Sequence, residues 1–129
     1  MDTMSLAAAA APATATAAGA RGSALAFLEE LEPAVAGEAA DAVVLVVSEL
    51  TTNALRHGGG TFTLRLTAHV DSIEVAVHDP SPQMPRTRAP DLTGATGGFG
   101  WPLINHLART TGITRGAAGG KTITAVLPR

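Results

Sequence analysis

Glu49 and Asn53 stand four residues apart, so on a helix their side chains leave one face a single turn from each other. A carboxylate and an amide oxygen placed in this way can jointly address a hydrated cation such as Mg2+, which takes few protein ligands and keeps several waters. The bland alternative is an exposed polar stripe. Against it stands the apolar density around the pair, Val43 to Val47 with Leu50 and Leu55; a helix buried so thoroughly is expected to spend its polar face on a cleft. His57 continues the spacing. It either caps the helix C-terminus, where an imidazolium favours the dipole, or reaches a ligand.

A second group is Thr96-Gly97-Gly98-Phe99-Gly100, just ahead of Trp101-Pro102. Glycines let backbone amides approach an anion, and a helix that starts there adds unpaired donors and a favourable dipole. Phosphate is the natural guest. The run does not match the GxxxxGK[ST] loop, and the strand that precedes a dinucleotide fingerprint is missing. The third group is Asp79, followed by Pro80-Ser81-Pro82. Its carboxylate either accepts a hydrogen bond from an exocyclic amine or forms the turn that ends a strand.

These groups need elements to hold them. Ala24, Leu25, Phe27, Leu28 and Leu31 recur at helical spacing opposite Glu29, Glu30 and Glu32, which predicts a first helix ending at or soon after Pro33. From Glu38 to His57 a longer segment begins with the β-branched run Val43-Val44-Leu45-Val46-Val47, which could pass for a buried strand. The polar residues decide for a helix: Asp41, Glu49, Asn53 and His57 fall at multiples of four, and Gly58-Gly59-Gly60 supplies a stop. Alternation over Phe62–Ala68 and Ile73–Val77 predicts two antiparallel strands joined at Asp71-Ser72. Asp79 to Gly98 holds four prolines and no periodicity, a loop of a length that tends to be functional or disordered. A short helix through Leu103, Ile104 and Leu107 follows, and Ala118-Gly119-Gly120 turns into a last strand at Thr122–Leu127.

Bulk properties narrow the function. With 129 residues, one domain is expected. A net charge of -2 offers no cationic excess for a phosphate backbone or a membrane surface, so neither nucleic acid nor membrane is an expected partner. There is no cysteine and no basic secretory n-region, which leaves a cytoplasmic address. Residues 1–20 are rich in alanine and threonine, too weakly hydrophobic to span a bilayer. They are expected to form a loose arm ahead of a domain over 21–129.

In this order the segments resemble a family. Ser48-Glu49-Leu50-Thr51-Thr52-Asn53-Ala54-Leu55-Arg56-His57-Gly58, then Val77-His78-Asp79-Pro80, then Gly98-Phe99-Gly100, then Gly119-Gly120-Lys121-Thr122 look like the four boxes of the ATPase superfamily shared by gyrase, histidine kinases and the heat-shock chaperone ATPase. SELTTNALRHG is most similar to the anti-sigma-factor serine/threonine kinases and to small stand-alone bacterial ATP-binding regulators. The resemblance implies an α/β fold of the Bergerat type: a two-layer sandwich with a mixed, mainly antiparallel sheet, helices on one face and a long ATP lid. It implies that Asn53 coordinates Mg2+ on the ATP phosphates and that Glu49 is the general base. Asp79 would bind the adenine amino group, Gly98 and Gly100 would line the phosphate end of the lid, and Thr122 would support the adenine side.

Two departures stand out. Pro80-Ser81-Pro82 replaces the usual glycines after the aspartate, and proline removes an amide donor there. The alanine-rich arm shows no convincing counterpart of the family's first strand, at the end where these domains commonly pair into homodimers. The resemblance implies a kinase that sequesters a sigma factor and phosphorylates an anti-sigma antagonist protein; the alternative is an ATP-binding interaction module without turnover. Arg86 and Arg88 in the lid are expected to close over the phosphates.

Overall fold

The computed structural model describes residues 4–9, 16–57, 60–81, 100–117 and 119–129. Strand β1 (Met4–Ala9) is followed by helix α1 (Ala17–Glu30), helix α2 (Gly37–His57), strands β2 (Thr63–Ala68) and β3 (Ser72–Asp79), helix α3 (Gly100–Leu107), and strands β4 (Thr110–Arg115) and β5 (Lys121–Pro128). The five strands form one sheet in the order β1-β2-β3-β5-β4.

Every ladder among the described strands is antiparallel. The mixed component expected of the sheet therefore has no counterpart there. The register places Leu64 opposite Val77, Leu66 opposite Val75 and Ala68 opposite Ile73. The next ladder sets Ile73, Val75 and Val77 opposite Leu127, Ala125 and Ile123. Because strand side chains alternate with period two, these residues share one face, and all are buried. α1 packs on β2, α2 on β3 and β5, and α3 on β4. The result is a two-layer α/β sandwich with its helices on the core face.

α2 is a helix despite its valines. Val43, Val46, Val47, Leu50 and Ala54 are fully buried, a spacing that only a 3.6-residue period places on one side. Thr51, also buried, donates its hydroxyl to the Val47 carbonyl at 2.7 Å, so this polar group costs the core no unmet hydrogen bond. The helix ends where the glycines predict, and the Gly60 amide donates to the Ala54 carbonyl at 3.4 Å. Gly60 has a φ of 83°, in the left-handed region that glycine enters at no steric cost.

The fold differs from expectation at four points. The N-terminal segment is not simply a loose arm, since Met4–Ala9 pairs along β2, where the unpaired edge of β2 offers hydrogen bonds to any extended chain. α1 begins at Ala17, with the Thr16 hydroxyl accepting from the Gly19 amide at 2.9 Å, so a boundary at residue 21 falls inside this helix. β4 was not foreseen: Thr110–Arg115 carries Gly112 and only one large apolar residue, Ile113, and it is drawn into the sheet by pairing with β5. Leu25, assigned to the buried stripe of α1, is 45% exposed.

Candidate functional site

α2 and α3 meet at the residues singled out for phosphate and metal chemistry. Gly100, the first residue of α3, is buried. A β-carbon on it would lie 2.9 Å from Glu49 Oε2 and 3.8 Å from Asn53 Nδ2. The carboxylate and the amide of α2 thus stand together against the backbone of the α3 N-terminus, as their four-residue spacing requires. Gly100 puts no side chain between the two elements, so the Glu49 carboxylate sits close to the α3 backbone.

Burial pushes the Glu49 carboxyl above its ordinary value of 4.5, and the Arg56 guanidinium works in the opposite direction. A carboxylate raised in this way is a better proton acceptor near neutral pH. On its other side α2 is tied to α1, where Arg21 donates to the Ser48 hydroxyl at 3.1 Å.

The second cluster lies at the end of β3. Asp79 is buried, and its Oδ1 accepts from the Ser81 amide at 2.9 Å. This is the strand-ending turn, with Pro80 setting the backbone between the two residues. The same oxygen accepts from Lys121 Nζ at 2.9 Å, and Lys121 also donates to the Ser81 carbonyl at 3.3 Å. Lys121 was not foreseen as a site residue. The signal available was its place as the Cα partner of Asp79, which only the pairing register reveals.

That register also fixes the place of Thr122, which was expected to support the adenine side. Lys121 faces the helices, so Thr122 faces the other side of the sheet, where its hydroxyl lies 3.1 Å from His78 Nδ1. The structure does not bring Thr122 to the Asp79 carboxylate. His57 is exposed at the last position of α2, the place that favours an imidazolium on the helix dipole. Gly98, Arg86, Arg88 and the remainder of the lid from residue 82 to 99 lie outside the described residues.

A family model described as the histidine kinase-like ATPase domain matches residues 9–127. The chain belongs to this family. Among solved structures it is similar to the RsbU and RsbW domains of Rv1364c from Mycobacterium tuberculosis, with 20% identity and a TM-score of 0.56. That match covers 100% of this chain and 33% of the other, so the domain spans about a third of the chain it resembles. A comparison with curated protein sequences gave no match.

Membership gives ATP as the ligand class. The donor set fits a magnesium nucleotide: an amide oxygen and a carboxylate side by side can complete the shell of an ion that keeps most of its waters. Among the described residues, no helix is long and apolar enough to cross a membrane.

Proposed function

We propose that this histidine kinase-like ATPase domain is a cytoplasmic serine/threonine kinase of the anti-sigma type, which binds Mg-ATP and phosphorylates an anti-sigma antagonist protein. The observation that carries the reading is Glu49, its carboxyl raised by burial and set beside Asn53 at the start of α3. SELTTNALRHG, which holds both residues, is the segment most similar to that group of kinases.

In this reading the Asn53 amide oxygen coordinates Mg2+, and Gly98 and Gly100 leave room for the phosphates. Mg2+, when bound, supplies charge neutralisation across the phosphate oxygens. Asp79 accepts a hydrogen bond from the exocyclic amine of the base. Glu49 accepts the proton of the attacking serine or threonine hydroxyl as the new O–P bond forms and the bond to ADP breaks. Phosphoryl transfer asks mainly for positioning and charge compensation, so one carboxylate and one metal suffice.

Incubation of the protein with labelled Mg-ATP and candidate antagonist proteins tests the proposal. Label on a serine or threonine of the antagonist is the expected result. Nucleotide that is bound and returned unchanged would sink the kinase reading and leave an ATP-binding interaction module.

A further inference from the structure

The chain has a single lysine, Lys121, and the fold buries it. The Lys121 and Asp79 side chains retain 6% and 3% of their exposure, with Nζ and Oδ1 2.9 Å apart. Taking two charges out of water is costly, and such a pair persists only where geometry and further hydrogen bonds compensate. Here they do: the ammonium is also held by the Ser81 carbonyl, and the carboxylate by the Ser81 amide.

The arrangement is one-sided. Both hydrogen bonds that the Asp79 carboxylate accepts from described residues end on Oδ1. Among the described residues, no fully buried side-chain nitrogen or oxygen lacks a partner. Oδ1 is anchored twice, and none of the hydrogen bonds between described residues ends on Oδ2. Among the described residues, the other charged groups nearby do not share this contact. Arg115, the Cα partner of Lys121 on β4, is exposed, and the ring of His78 lies on the opposite face against Thr122. Gly120 lets β5 begin this close, since a β-carbon there would lie 2.6 Å from the Asp79 carbonyl oxygen.

We propose that Lys121 is the positioning residue for base recognition: by holding Oδ1 it aims Oδ2 of Asp79 at the exocyclic amine of the nucleobase. The inference rests on the reading of Asp79 as the base-contacting carboxylate. A carboxylate offers acceptors only, so a fixed Oδ2 takes an amine N–H and repels a carbonyl oxygen at the same place. Without Lys121 only the Ser81 amide holds Oδ1, and the base site loses part of its preference.

The test is the affinity ratio between ATP and ITP, which carries a carbonyl where ATP carries the amine. Wild-type protein is expected to prefer ATP. Lys121→Met should lower that preference by about tenfold, through weaker ATP binding with ITP unchanged; Lys121→Gln, which keeps an N–H donor for Oδ1, should retain most of it. Equal weakening of both nucleotides, or an unaltered ratio, would overturn the positioning role. Absence of any preference in the wild type would instead remove Asp79 from base recognition, a separate failure.

Amine acylation of the wild type gives a second measurement that needs no variant. Apart from the N-terminus, the chain's one lysine is the only amine to label. Lys121 should stay unreactive with and without Mg-ATP. A rise in labelling on ATP binding would show that the base displaces the ammonium, and would overturn the proposal.

Discussion

Glu49 joins a structural cost to the chemical use proposed for it. Its carboxyl is raised chiefly by burial, with Arg56 opposing, so the folded state favours the protonated form more than the unfolded chain does. The sign follows from linkage: the stability tied to this proton is present in full below about 4.5 and lost as pH rises through the higher folded-state value. At neutral pH the ionised carboxylate therefore works against the fold. Glu49→Gln should melt above the wild type at about pH 7.5, with the gap closing as the pH approaches about 4.5. The same variant should keep ATP binding and lose roughly 10²–10⁴-fold in phosphoryl transfer, as expected when a general base is removed. Asn53→Ala should instead weaken magnesium-dependent nucleotide binding, seen by titration with and without the metal. If Glu49→Gln abolished binding as completely, the carboxylate would belong to the metal shell. Gly100→Ala probes the same contact from α3. Its new methyl would meet Glu49 Oε2 at 2.9 Å, the mobile end of a side chain, so transfer should drop while the melting temperature moves by no more than about 4 °C.

At the scale of elements, the site depends on how closely β5 and β3 run where β5 begins. Gly119 takes a φ of 96°, which turns the chain into β5 in a conformation suited to glycine. Gly120 is constrained for another reason. A β-carbon there would sit 2.6 Å from the Asp79 carbonyl oxygen and within 3.0 Å of the His78 ring, and backbone cannot yield as a side-chain tip can. Gly120→Ala should cost about 1–3 kcal/mol, the usual range for overpacking. Since the strain falls on Asp79, ATP affinity should decline with it; chemical denaturation and nucleotide titration read the two effects separately. An unchanged denaturation midpoint would show that the two strands separate here at no cost. α2 is held differently, through its apolar side. Leu50 is 1% exposed in the layer between helices and sheet, and Leu50→Ala should cost about 2–5 kcal/mol.

For the whole molecule, what the edge of the sheet contributes can be tested directly. β1 covers β2 through a six-residue antiparallel ladder from Met4 to Ala9. Deleting residues 1–9 should leave a cooperatively folding domain, because the core cluster among the described side chains runs from Ala20 to Leu127 without them. It should also bare the backbone donors and acceptors of β2, and exposed edges template pairing with another chain. A lower melting temperature and a larger sedimenting species are the expected outcomes. A shortened chain that stayed as stable as the full one, and in the same assembly, would mean that β1 adds nothing to the sheet in solution.

Much was legible in the sequence because the signals were local. Helical spacing set Glu49 beside Asn53, alternation marked β2 and β3, and triple glycine marked the end of α2; each follows from a period of 3.6 or two residues that needs no partner to be read. The order of the four boxes carried the family for the same reason. What remained hidden depended on pairing. β1 and β4 have too little apolar alternation to declare themselves and exist as strands because β2 and β5 offer free edges. The register of β5 against β3 turned Lys121 toward Asp79 and Thr122 away from it. A shift of one residue exchanges the faces of a strand, and the sequence holds no local mark of that choice. Burial was hidden as well: the carboxyl of Glu49 is desolvated and stands where α3 meets α2 with Gly100 at the contact, two segments far apart in the chain meeting in space.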